Sequence, residues 1–249
     1  MTPQKEWLAL YEQKKQNTAS QTDFNTYFEL PEIAGKMLTV MDIGACELPS
    51  GKLLVRDPLV YLGSRGEQPY FQTAPAGTYR VEVCVVKPEE SGGCARYAAV
   101  RLRFSEKRAV RFYEALIGNE DLNELHEDEY FGFNVDAGLG CICDAAVHSL
   151  FCDWSEKWDR EHPGGNQYDD YFAALFAESF RTRPEFQRSG GDWINWKLPG
   201  TEYHIPMFQS GFGDGAYPVY WGYDEAGGIC QLVIQFIDIA LAYGQAEGD

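Results

Sequence analysis

The chain has 249 residues; 45% are hydrophobic and 14% aromatic, enough to bury a substantial core, which excludes disordered, collagen-like and coiled-coil classes. No apolar run approaches the roughly 20 residues of a membrane-spanning helix, and the opening MTPQKEWLALYEQKKQ lacks the apolar segment and cleavage site of a secretion signal. Net charge is −17 and lopsided: residues 1–117 hold 15 basic and 14 acidic side chains, residues 118–249 hold 6 and 24, a balance that excludes nucleic acid and anionic membrane as partners of the second half.

The N-terminus reads as a helix. Thr2 is placed to cap it, Pro3 suits its first position, and Trp7, Leu10, Tyr11 and Lys14 share a face. A polar break at Gln16–Thr22 is followed by a loop-rich stretch and a short strand over Met37–Ile43. The period then becomes two. Lys52–Val55 follows the turn Leu48-Pro49-Ser50-Gly51. After Pro75-Ala76-Gly77, Tyr79, Val81, Val83 and Val85 alternate with Arg80, Glu82, Cys84 and Val86. Tyr97–Phe104 sends Val100, Leu102 and Phe104 one way and Arg101 and Arg103 the other, with Ala109–Tyr113 expected as its partner in a meander that has a cationic face. Glu120–Glu129 carries six acids and no lysine or arginine, and reads as a solvated loop or short helix.

Tyr130–Val135 and Leu139–Cys143 read as a hairpin around Asp136-Ala137-Gly138. Asp144 then caps a helix whose inner face is Val147, His148, Phe151, Cys152, Trp154 and Trp158. Asp169–Thr182 is a second helix and Glu185–Trp196 is irregular. Strands return at Ile205–Gln209 and in a hairpin of Val219–Tyr223 and Ile229–Phe236. Strands before and after a pair of helices predict an α+β fold, mainly an antiparallel sheet or meander, with an N-terminal helix and a two-helix insertion near 144–182. Three parts are expected: an N-terminal helix and lead-in over 1–44, a single α+β domain over 45–240, and an acidic tail over 241–249.

Seven cysteines are scattered through apolar stretches without a CxxC pair. Cys141-Ile142-Cys143 would point both thiols to one side of a strand. Four histidines without ligand spacing argue against structural zinc, so buried free thiols in a reducing cytoplasm are expected.

Several blocks carry a resemblance when taken together: Leu48-Pro-Ser-Gly-Lys with Arg56-Asp57-Pro58; Pro75-Ala-Gly-Thr-Tyr-Arg-Val; Arg96-Tyr-Ala-Ala-Val; Val135-Asp136-Ala-Gly-Leu-Gly-Cys-Ile-Cys-Asp144; and Ser210-Gly-Phe-Gly-Asp-Gly-Ala-Tyr-Pro-Val-Tyr-Trp-Gly-Tyr-Asp224-Glu-Ala-Gly. In that order they resemble the uncharacterised family called domain of unknown function 4241, over roughly residues 45–240. Gln235 stands where that family would have an aspartate. The resemblance implies a bacterial, cytosolic protein and carries no activity with it.

Two functional readings follow from the residues. The first is a non-catalytic binding protein whose acidic surface docks a basic protein, for example an immunity protein neutralising a bacterial toxin; Glu120, Asp121, Glu124, Glu127, Asp128 and Glu129 are its expected contacts. It needs no cofactor. The alternative is a metal-assisted hydrolase. Asp57, Asp136 and Asp214 sit in glycine-rich or proline-bounded turns, and carboxylates converging there would do acid–base work; Asp136, Asp144 and Asp214 would hold Mg²⁺ or Ca²⁺. Aspartate is also a turn former and helix cap, and no calcium-loop, nucleophile-elbow or phosphate-loop pattern is present. The two readings differ in one geometric fact: whether these carboxylates meet in a pocket or each close a separate turn.

Overall fold

A computed structural model describes residues 3–87, 94–126 and 129–244. The fold is α+β. Helix α1 (Lys5–Lys14) and a 3₁₀ turn (Lys15–Thr18) lead to α2 (Asn25–Glu29). Then come β1 (Glu32–Ile33), β2 (Lys36–Leu48), β3 (Leu53–Arg56), β4 (Gly77–Val86), β5 (Arg96–Arg103), β6 (Arg111–Glu114), β7 (Phe133–Val135) and β8 (Leu139–Asp144). The insertion is α3 (Ala145–Glu161), a π turn (Tyr168–Phe172) and α4 (Ala173–Thr182). The chain closes with β9 (Trp193–Lys197), β10 (His204–Gln209), β11 (Gly215–Tyr217), β12 (Val219–Tyr223), β13 (Ile229–Gln235) and α5 (Ile239–Tyr243).

The strands form three antiparallel sheets: seven strands in the order β1-β2-β4-β5-β13-β12-β6, four in the order β3-β8-β10-β9, and the pair β11-β7. The middle, four-stranded sheet is apolar on both faces. Leu53, Val55, Ile142, Trp193 and Phe208 pack on the large sheet. Cys141, Cys143, Ile194, Trp196 and Met207 pack under Val147 and Phe151 of α3, Phe172, and Phe176 of α4. The layers are therefore sheet, sheet, helix. Cys141 and Cys143 share the helix side while Ile142 faces the large sheet, as strand alternation requires.

Pairing departs from the sequence expectations in two places. β7 and β8 do not form a hairpin: β7 pairs with β11, and β8 pairs with β3 and β10. Nor is β6 the partner of β5. The β12–β13 hairpin lies between them, β13 on β5 and β12 on β6. Val219–Gly222 and Cys230–Ile234 are buried throughout, so this hairpin needs cover on both edges and takes the centre of the sheet, leaving β6 at the rim.

β2 runs on through the boundary expected at 44/45. Gly44 has φ +117° at a register shift between Asp42 and Ala45; it makes a β-bulge rather than a strand end. Residues 1–44 also contribute core, since Phe24 and Tyr27 are buried with the large sheet. α1 begins at Lys5 behind Gln4, so Pro3 precedes the helix and Thr2 lies outside the described residues. Its Trp7 and Tyr11 rings stack at 5.5 Å and both meet Phe71 edge-on. α5 occupies the start of the expected tail, whose residues 245–249 lie outside the described ones. Among the described residues no helix is long and apolar enough to cross a membrane.

Glu114, at the end of β6, is 1% exposed and accepts a hydrogen bond from the Gly132 N–H at 2.6 Å. Burial raises its pKa from 4.5 to about 7. Between those values the folded chain keeps a proton that the unfolded chain has lost, so stability falls as pH rises through the window and the loss is complete above it. Glu114→Gln removes that term. Denaturant melts at pH 5 and pH 8 should show the wild type losing about 2.5 kcal/mol more than the variant.

Candidate functional site

Asp57 directly follows β3 and is fully buried. Pro58 turns the chain, and Asp57 Oδ1 accepts hydrogen bonds from the Leu59 and Val60 N–H groups at 2.9 and 3.3 Å. Its Oδ2 reaches the next strand connection and accepts from the Asp136 and Ala137 N–H groups at 3.0 and 2.7 Å. Asp214 Oδ1 accepts from the N–H of Gly138, the next residue, at 2.9 Å. The 136–138 turn is thus gripped from both sides by carboxylates. The Asp136 side chain points away from both, is exposed, and accepts from the Tyr61 hydroxyl, whose pKa that contact raises.

The structure brings Asp57, Asp136 and Asp214 to one turn but directs their oxygens to different partners. Asp144 is elsewhere. It caps α3 through Ala146 N–H at 2.8 Å and accepts from Ser50 Oγ, Ser50 N and Gly51 N at 2.7, 3.0 and 2.9 Å. Among the described residues no group of three or more histidine, cysteine or acidic side chains is placed to hold a metal.

Two further groups carried no functional motif in the sequence. Cys152 Sγ lies 3.3 Å from His148 Nε2, one helical turn apart on α3. Both sit against the Leu62 carbonyl and both are buried, which lifts the thiol pKa and lowers that of the imidazole. That is the reverse of an activated thiolate pair. The second is a cavity of about 880 Å³ where the loops at one end of the middle sheet meet the helical layer. Val60, Arg96, Gly138, Arg188, Gln209 and Phe212 are among its lining residues. The only early signal was that Arg96, Gly138 and Ser210–Gly213 fall in three of the blocks that carried the resemblance.

The expected acidic contacts divide by geometry. Glu120 is half-buried and accepts from the Ile117, Gly118 and Asn119 N–H groups, bracing its own loop. Asp121, Glu124 and Glu129 are exposed. Glu127 and Asp128 lie outside the described residues.

A family model described as a protein of unknown function (DUF4241) matches residues 46–234. The chain belongs to that family. No curated protein and no solved structure matches it. The matched span covers the Asp57 latch, the 136–138 turn and the cavity. It also includes β13 as far as Ile234, one residue short of Gln235, which lies opposite Ala99 and donates its backbone N–H to the Pro218 carbonyl.

The unequal engagement of these aspartates makes a stability prediction. Asp57→Asn sets an amide N–H₂ against backbone donors in a buried site and should cost about 3 kcal/mol or more, since hydrogen bonds to charged groups contribute roughly 1.5–3 kcal/mol each. Asp214→Asn, exposed and with one such bond, should cost under about 1 kcal/mol. Urea unfolding of the two variants measures both.

Proposed function

We propose that this protein is a non-catalytic binding protein that works in the cytoplasm, and that its acidic C-terminal half docks a basic protein in the manner of an immunity protein blocking a cationic toxin. The carrying observation is how the ion pairs are distributed. Three of the meander arginines are neutralised by acids of their own half: Arg101 by Glu82, Arg103 by Glu106, and Arg108 by Asp23 and Glu29. Arg101 also lies 4.1 Å from the Phe28 ring and is itself buried. Among the described residues, Arg65 with Asp153 and Glu156, and Lys107 with Asp224, are the lysine and arginine pairs that cross between the halves. The acidic excess of residues 118–249 is left for solvent or a partner.

The helical layer supports this reading. α3 turns Val147, Phe151 and Trp158 inward. Asp159 is exposed, and the following π turn adds Asp169 and Asp170, none of which meets a lysine or arginine among the described residues; Asp153 and Glu156 are held by Arg65, Glu161 by Lys157 and Glu178 by Arg181. A surface of this sign accelerates encounter with a cationic partner and is screened by salt over about 10 Å at 0.1 M. The cytoplasmic assignment is supported by the cysteines: all seven are free and six are buried.

Affinity capture from the source organism's lysate at 50 and 500 mM NaCl tests the proposal. The expected result is a basic protein retained at low salt and released at high salt, with at least tenfold weaker binding to the triple variant Asp121→Asn, Glu124→Gln, Glu129→Gln. Recovery of no basic partner, or retention indifferent to salt, would overturn it.

A further inference from the structure

We propose that the cavity beside the Ser210–Gly213 turn binds a small organic anion, a carboxylate or phosphate ester, held by Arg96 and by the side-chain amide of Gln209. Its volume, about 880 Å³, lies within the roughly 300–1,000 Å³ of small-molecule sites. Gln209 ends β10 and is 4% exposed. Its backbone N–H donates to the Asp192 carbonyl, while its Nε2 has no hydrogen-bond partner. A buried donor left in that state is destabilising until an acceptor meets it. An acceptor oxygen bound in the cavity that Gln209 lines would satisfy it.

Arg96 supplies the charge. It starts β5 in the large sheet and reaches the loop of the middle sheet, where Nη1 donates to the Gly211 carbonyl at 3.1 Å and the guanidinium lies 5.7 Å from the Phe212 ring. No described carboxylate lies within 4.0 Å of it, in a chain of net charge −17. Gly211 makes this approach possible. It has φ +66°, and a Cβ there would stand 2.9 Å from the Tyr97 carbonyl oxygen.

Arg188 lines another part of the wall. Its Nε and Nη2 are fixed on the buried Asp192 at 2.7 and 2.6 Å, so its charge is already met and its plane is set. Asp159, which accepts from the Gln167 amide, also lines the cavity and would repel the anion locally. Anionic atoms are therefore directed to Arg96 and Gln209, and Phe212, 58% exposed, offers an apolar edge for the remainder of the ligand.

The test uses the full chain with inorganic phosphate, pyrophosphate and citrate as probes, at ionic strength matched with chloride. Melting curves and calorimetry should show a saturable response to at least one probe. Arg96→Gln should weaken that binding at least tenfold. Gln209→Met, which replaces the unpartnered amide with an apolar group of similar size, should melt no lower than the wild type without ligand yet lose the response. The absence of a saturable response to any of the three probes would overturn the proposal, as would equal responses in wild type and Arg96→Gln.

Discussion

Asp57 meets four backbone N–H groups and, among the described residues, no cation, and this one side chain ties the end of β3 to the turn that introduces β8. Those strands are neighbours in the middle sheet, on which both cores depend. A buried carboxylate is tolerated only when its charge is met. Here the backbone itself does this, so the turn geometry and the carboxylate require each other. Asp144 repeats the device at the other end of β8, joining the Ser50–Gly51 turn to the first turn of α3. The aspartates that look most like chemistry in the sequence thus act chiefly on the main chain.

Much of the fold was legible because local physics decides it. Period-two alternation of residue types identified β4 and β5, a helical face identified α3, and the apolar runs flanking Asp224-Glu-Ala-Gly-Gly identified the β12–β13 hairpin. What failed was pairing, which is decided at long range. Nothing in Phe133–Val135 says that its partner is Gly215–Tyr217. β9 was missed because its alternation is short: Ile194 and Trp196 alternate with Asn195 and Lys197, but the strand has five residues and Trp193, on the Asn195 side, packs into the other core. The α4 helix was read as starting at Asp169, where the chain in fact makes a π turn over Tyr168–Phe172.

The candidate sites were legible as residues but not as geometry. Spacing placed Asp57, Asp136 and Asp214 in turns; it could not say that two of them would clasp the 136–138 turn while the third faced Tyr61. The cavity joins Arg96, Arg188 and Gln209, residues from three separate parts of the chain whose meeting is set by the packing of two sheets and a helical layer. The acidic excess could be counted from composition alone. That the meander arginines do not neutralise it follows from register: Arg101 stands opposite Glu82 across the β4–β5 pair and is taken up there.

Amide hydrogen exchange in the wild type and in Asp57→Asn tests the central role of the Asp57 carboxylate most directly. The N–H groups of Leu59, Asp136 and Ala137 should be protected in the wild type and should exchange at least tenfold faster in the variant, while the β4–β5 amides change little. Rapid exchange of the Asp136 and Ala137 amides in the wild type, or protection there that survives the substitution, would contradict the account.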